Sequence, residues 1–200
     1  MKEFGSAVIL AGGKSTRMGF DKQFLIINER RLIDSQIKKL RKEFDEIIVV
    51  TNKSQYYIGF TDRITEDKIL GKGPLSGIHA GLIEANSKFV YFIACDMPNI
   101  NLDYIRFMKD KLKGKRVMAC ITKYGNWIEP FNAFYSKEMI DHIEKHLKED
   151  NRSVNSLLKK LSVCYIEEKE ARKFSPNWDM FLNLNTKDEL ECYIKTVKIK

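Results

Sequence analysis

Apolar and polar positions along this chain come in blocks. Ser6–Leu10, Ile47–Thr51 and Phe89–Ala94 are short runs in which nearly every side chain is apolar, the pattern of strands covered on both faces. Between them, Arg31–Phe44 sets Leu32, Ile33, Ile37, Leu40 and Phe44 at helical spacing, Leu75–Ala85 reads as a helix rich in small residues, and Leu102–Leu112 as an amphipathic one. Arg116–Ile121 predicts a further strand. Beyond Glu129 the pattern becomes mixed, with a strand near Phe131–Tyr135, helices near Lys137–Leu147 and Ser153–Leu161, a strand at Val163–Ile166 and a helix from Lys187 onward.

This βαβ succession predicts an α/β fold: a three-layer αβα sandwich around a mainly parallel, Rossmann-like sheet, with ligands outside the carboxyl ends of the strands. Neither a repeat nor a Pro/Gly/Ser linker interrupts the 200 residues, so one domain is expected over 1–200, its first half binding nucleotide and its second half completing the sheet and building an acceptor side. A chain of this length buries roughly 70% of its unfolded surface and needs neither disulfide nor structural metal.

Composition narrows the picture further. Hydrophobic residues make up 44% and charged ones 31%, and the mean hydropathy is −0.35, ordinary for a soluble globular protein. The apolar runs are strand-sized, far short of the roughly 20 residues that cross a bilayer, and the first residues form no signal-peptide pattern; a cytoplasmic protein is expected. Cys95, Cys120, Cys164 and Cys192 lack metal-ligand spacing and read as reduced thiols. The net charge of +8 is spread along helical stretches without interleaved aromatics, which suits phosphorylated small molecules better than nucleic acid.

The segment that adds chemistry is Leu10-Ala11-Gly12-Gly13-Lys14-Ser15-Thr16-Arg17-Met18-Gly19-Phe20-Asp21-Lys22, directly after the first strand. Glycines let backbone N–H groups turn toward phosphate oxygens, and Arg17 and Lys22 can neutralise the charge. By composition alone the segment reads equally as a glycine turn with solvated charges. A Walker A loop is excluded, because Val8 stands where its first glycine belongs, and no Gly-x-Gly-x-x-Gly is spelled out.

The pattern Leu-Ala-Gly-Gly-x-Ser-x-Arg-Met-Gly-x-Asp-Lys resembles the signature of the molybdenum cofactor guanylyltransferases, the MobA family, at every defined position. The resemblance implies a fold like the nucleotide-diphospho-sugar transferases. It places GTP against Leu10, Ala11, Gly12 and Gly13, with Lys22 on phosphate, and Gly13 in place of the Leu-Ala-Ala-Gly of related cytidylyl enzymes favours guanine. Two more segments are similar to family motifs. In Glu66-Asp67 followed by Gly73-Pro74-Leu75-Ser76-Gly77, Asp67 is the implied contact to base or ribose, although the stretch by itself is a plain capped helix. In Cys95-Asp96-Met97-Pro98 after an apolar strand, Asp96 is the implied Mg²⁺ ligand; alone it could equally cap a turn.

Further matches occur at Glu129-Pro130-Phe131-Asn132-Ala133, Asn151-Arg152-Ser153 and Phe181-Leu182-Asn183-Leu184-Asn185-Thr186. The resemblance assigns Arg152, Asn183 and Asn185 to the pterin side. The last motif departs from the family at Lys187, where proline is usual, a change that weakens helix initiation more than binding. His79 reads as a packing or surface histidine, Trp127 and Trp178 could stack on a pterin or simply pack, and all three are left out of the site. Together these matches imply an enzyme that moves GMP from GTP to Mo-molybdopterin with release of pyrophosphate, using Arg17, Lys22 and Asp96 as catalytic groups and Mg²⁺ as cofactor. They also imply protein partners among molybdenum-insertion proteins and molybdoenzyme chaperones, and neither nucleic acid nor membrane. The competing expectations are a transferase using CTP or a sugar phosphate, and a non-catalytic nucleotide-binding regulator.

Overall fold

Side chains of β1 (Ser6–Leu10) alternate between two buried faces: Ala7 and Ile9 enter one apolar cluster, Val8 the other. Alternation in a strand this apolar requires cover on both sides, and the rest of the chain supplies it. The protein's structure is a computed structural model that describes residues 1–12 and 21–198.

In chain order, β1 is followed by a short hairpin, β2 (Ile26–Ile27) and β3 (Arg30–Arg31), then α1 (Leu32–Leu40), β4 (Glu46–Val50), β5 (Arg63–Thr65), α2 (Pro74–Glu84), β6 (Phe89–Ala94) and α3 (Leu102–Leu112). The second half holds β7 (Ala119–Tyr124), β8 (Trp127–Ser136), α4 (Ile140–Lys148), α5 (Val154–Leu158), β9 (Val163–Glu167), α6 (Glu168–Ala171) and α7 (Lys187–Lys198). The large sheet has the order β5-β4-β1-β6-β8-β7-β9. All its pairings are parallel except those made by β8, which runs against both β6 and β7.

On one face, Ile33, Ile37 and Leu40 of α1 and Tyr104, Ile105 and Met108 of α3 pack on Ile9, Val49, Tyr91 and Ile93. On the other, Leu75, Ile78 and Leu82 of α2 and Ile143 and Leu147 of α4 pack on Val8, Ile48, Phe92 and Tyr135. This is the three-layer arrangement expected. Helix α2 comes unusually close to the sheet because Gly81 faces it: a Cβ there would stand 2.8 Å from Phe92 and Val8.

Several elements differ from the sequence expectation. The edge strand β5 and the β2–β3 hairpin were not expected, since two or three residues carry too little periodicity to register. Strand β8 starts at Trp127, four residues before the predicted Phe131, because its opening residues are half-exposed and do not read as core. Helix α7 starts at Lys187 without proline: the Glu189 carboxylate accepts from the Asn185 and Thr186 amides, and the Thr186 hydroxyl accepts from the Glu189 amide. That reciprocal capping box does the work of the missing ring. No helix among the described residues is long and apolar enough to cross a membrane.

Candidate functional site at the carboxyl edge of the sheet

The chain runs outward from β1 through β4 to β5 and then returns to the other side of β1 as β6. The crevice beyond the carboxyl ends of β1 and β6 is therefore the topological switch point, where open α/β sheets bind ligands. Leu10-Ala11-Gly12 leaves β1 there, held in line by a bond from the Ala11 amide to the Val50 carbonyl (2.8 Å). Asp96 leaves β6 there, after the Cys95 amide has donated to the Leu10 carbonyl (3.0 Å). Among the described residues, only the Val50 carbonyl oxygen comes within 4 Å of where a Cβ on Gly12 would stand. Gly13 and Arg17 lie outside the described residues.

Lys22 is carried to this crevice by a turn that is itself locked down. Asp21 caps the turn by accepting from the Gln23 amide (3.2 Å), and Gln23 is buried, its Oε1 accepting from Thr51 Oγ1 and Tyr57 Oη, both at 3.0 Å. Burial alone would raise the Asp21 carboxyl, but hydrogen bonds from Lys53 and Gln23 hold it below its ordinary range. From this base Lys22 Nζ donates to Asp96 Oδ2 at 2.7 Å and to Asn185 Oδ1 at 2.5 Å.

Asp96 is buried. Its Oδ1 has no hydrogen-bond partner among the described residues. Its turn is pinned from two directions: Gln36 of α1 donates to the Ala94 and Met97 carbonyls at 2.9 and 2.8 Å, and the Leu184 amide donates to the Asp96 carbonyl at 2.9 Å. Burial, with the Asp96 charge adjacent, pushes the Cys95 thiol far up, so Cys95 stays a neutral packing group. Among the described residues no cluster of three acidic, histidine or cysteine side chains forms a metal cage. A lone carboxylate with one bare, buried oxygen suits a hard cation such as Mg²⁺, which takes one or two carboxylates and fills its shell with phosphate oxygens and water.

Helix α2 points its N-terminus at the same crevice. Gly73 precedes it with φ +73° and ψ −152°, a backbone region essentially reserved for glycine, and Pro74 then presets the first turn. A Cβ on Gly77 would meet Leu10 Cδ2 at 3.0 Å and Asp67 Oδ1 at 3.7 Å; the helix start, the β1 loop and Asp67 thus converge. Burial raises the Asp67 carboxyl above its ordinary range. The positive end of a helix and its unpaired amides attract anions and hydrogen-bond acceptors.

The proposed acceptor residues separate. Asn185 touches Lys22, and Asn183 braces the same segment by donating to the Phe181 carbonyl (2.9 Å). Arg152 is exposed and instead donates to the Gly71 carbonyl and to Asp150, each at 3.3 Å, beside the approach to α2. His79 packs between helices, its Nε2 3.0 Å from Glu144. Trp178 sits in the left-handed region at φ +65°, packs on Phe181, and donates from Nε1 to Glu129 at 3.1 Å. Sequence reasoning also missed Gln36 and Gln23. Each occupies a position that reads as helix surface or loop, and only the carbonyls and hydroxyls brought from distant strands give it a purpose.

The lysine–carboxylate pair, the glycine strand exit and the start of α2 thus share the switch point, the place where open α/β sheets bind ligands. The chain belongs to the family of MobA-like NTP transferase domains, which its residues 7–164 match. It is 57% identical over 197 residues to a probable molybdenum cofactor guanylyltransferase of Peptoclostridium acidaminophilum, an alignment covering 96% of this chain and 89% of that protein. It is 53% identical over 189 residues to the molybdenum cofactor guanylyltransferase of Syntrophotalea carbinolica, covering 94% and 90% respectively. The fold superimposes on a crystal structure of molybdopterin-guanine dinucleotide biosynthesis protein A from Archaeoglobus fulgidus with a TM-score of 0.85 at 23% identity, covering 98% of this chain and all of that one.

Proposed function

We propose that this protein transfers GMP from GTP to the molybdenum-loaded molybdopterin cofactor, giving the guanine dinucleotide cofactor and pyrophosphate. The reacting centre rests on one observation: Lys22 and Asp96, 74 residues apart, meet at 2.7 Å in the crevice between β1 and β6. The substrates rest on the shared name of relatives aligned over almost the whole chain.

In this reading a terminal phosphate of the cofactor attacks the α-phosphorus of GTP and pyrophosphate leaves. An anionic nucleophile needs no general base, so catalysis reduces to alignment and charge neutralisation. Leu10, Ala11, Gly12 and Gly13 lie along the nucleotide, Asp67 and the start of α2 hold its base or ribose, and Lys22 and Arg17 neutralise phosphate oxygens. Asp96 is the protein's ligand to Mg²⁺, which when bound supplies charge neutralisation between the phosphates. Lys22 keeps the Asp96 carboxylate oriented through Oδ2 and leaves Oδ1 to the metal. Asn183 and Asn185 face the acceptor from the opposite wall, and Arg152 approaches it from the α2 side. The whole chain acts as one cytoplasmic domain that passes its product to molybdenum-insertion proteins or molybdoenzyme chaperones.

Isothermal titration with GTP and with CTP in the presence of Mg²⁺ tests the nucleotide assignment. GTP is expected to bind at least tenfold more tightly; equal binding, or a preference for CTP, refutes it.

A further inference from the structure

Glu129, which heads one of the motif matches in the second half of the chain, has surroundings that do not suit a surface acid. It opens β8 opposite Thr122 of β7. Because β8 runs against its neighbours, its beginning lies at the same edge as the carboxyl ends of β6 and β7. Its pairing with β6 ends where Ala133 stands opposite Phe92, and between there and Glu129 the β7–β8 register shifts at a bulge.

The half-buried Glu129 carboxylate receives one hydrogen bond, from the neutral indole of Trp178 at 3.1 Å, and no cation pairs with it among the described residues. A carboxylate kept partly out of water without a counter-charge is a liability for folding, and burial raises this one above its ordinary range. Trp178 is set in the left-handed backbone region to reach it. The segment that carries Trp178 runs on to Leu184, bonded to the Asp96 carbonyl, and Asn185, bonded to Lys22. One strap therefore links Glu129 to the phosphate corner.

Beside this carboxylate lies aromatic surface. Tyr124 and Trp127 pair across the β7–β8 turn and are 42% and 76% exposed; Tyr124 packs against Trp178 at 5.2 Å between ring centres, and the Arg172 guanidinium lies over both rings, at 5.9 Å from Tyr124 and 5.2 Å from Trp178. A carboxylate with a free oxygen next to flat, exposed rings matches a planar heterocycle that presents two adjacent N–H donors along one edge. The 2-amino-4-oxopyrimidine ring of a pterin is such a heterocycle.

We infer that Glu129 is the acceptor-recognition residue: its carboxylate takes the ring N–H and the exocyclic amine of the pterin, while Tyr124 and Trp127 offer their faces to the ring and Trp178 fixes the carboxylate in place. The inference rests on the reading that the acceptor is molybdopterin. Guanine carries the same pair of donors, so the experiment separates the two rings.

Steady-state kinetics of Glu129→Gln with GTP and Mo-molybdopterin, alongside GTP titration and thermal melting, make the test. The variant keeps the size of the side chain and an oxygen for Trp178. KM for the acceptor is expected to rise about ten- to a hundredfold, with kcat, GTP affinity and melting temperature little changed. An unchanged acceptor KM overturns the inference, and so does a loss of GTP affinity, which would place guanine at Glu129. If Glu129→Gln fails to fold, Glu129→Asp, which withdraws the charge by one methylene, must show the same split in KM. Absence of pyrophosphate release by the wild-type protein would sink the molybdopterin reading itself, and the inference with it.

Discussion

The two halves of the sheet reach the same edge in opposite ways. In β5-β4-β1-β6 every strand is parallel and delivers its carboxyl end, so Gly12, Asp67 and Asp96 each stand within two residues of a strand end. In β8-β7-β9 the reversed strand β8 brings its beginning to the edge, and the groups that meet there come from far along the chain: Glu129 from β8, Trp178 and Asn185 from the long connection before α7. The parallel half thus packs its polar groups into contiguous motifs. The mixed half assembles its groups by tertiary contact.

If the parallel half holds the reacting centre, its substitutions should act on rate. Asp96→Ala is expected to lower turnover about a thousandfold or more, since the proposed carboxylate ligand of the metal is lost, while circular dichroism shows an intact fold; a rate within tenfold of wild type would remove Asp96 from the chemistry. For Lys22→Ala the expectation is a loss of about a hundredfold in kcat with weaker GTP binding. Titration showing undiminished GTP affinity would break the assignment of Lys22 to phosphate.

Smaller effects test how the halves are framed. Gly81→Ala puts a methyl group into Phe92 and Val8. Overpacking costs about 1–3 kcal/mol and outweighs the helix-propensity gain of up to about 1 kcal/mol, so melting should fall by several degrees. Gly77→Ala, one turn earlier, meets the tip of Leu10 at 3.0 Å and Asp67 Oδ1 at an ordinary 3.7 Å; it should leave melting nearly unchanged and raise KM for GTP by crowding the β1 loop. Equal melting of the two variants would contradict the close approach of α2 to the sheet. The smallest effect concerns Glu129. A carboxyl whose folded-state pKa is raised destabilises the protein above that pKa and ceases to do so below its ordinary value of 4.5. Glu129→Gln should therefore melt slightly higher than wild type near neutral pH, and the difference should vanish as pH falls below 4.5.

The same contrast explains what the sequence could reveal. Strands β1, β4 and β6 are apolar on both faces and announce themselves, and the residues that follow them inherit a predictable place at the ligand edge. Lys22 and Asp96 stood out because each lies in a short motif that resembles a family signature; composition alone left both open. Gln36 did not stand out, because a glutamine amid helical periodicity looks like solvated surface until the Ala94 and Met97 carbonyls arrive beneath it. Glu129 heads a motif match, but its burial was not legible, since its indole partner lies 49 residues away in a segment without regular periodicity. Arg152 shows the converse: a motif match grouped it with Asn183 and Asn185, but its bonds lie with Gly71 and Asp150.

The central claim is that this edge transfers a guanylyl group to the pterin cofactor. Wild-type protein incubated with Mg²⁺, Mo-molybdopterin and GTP labelled at the α-phosphorus should move the label into a product that also carries the pterin, with one pyrophosphate released per label and no transfer from α-labelled CTP. Label that stays in GTP in the presence of active acceptor, or that moves as readily from CTP, would contradict the account.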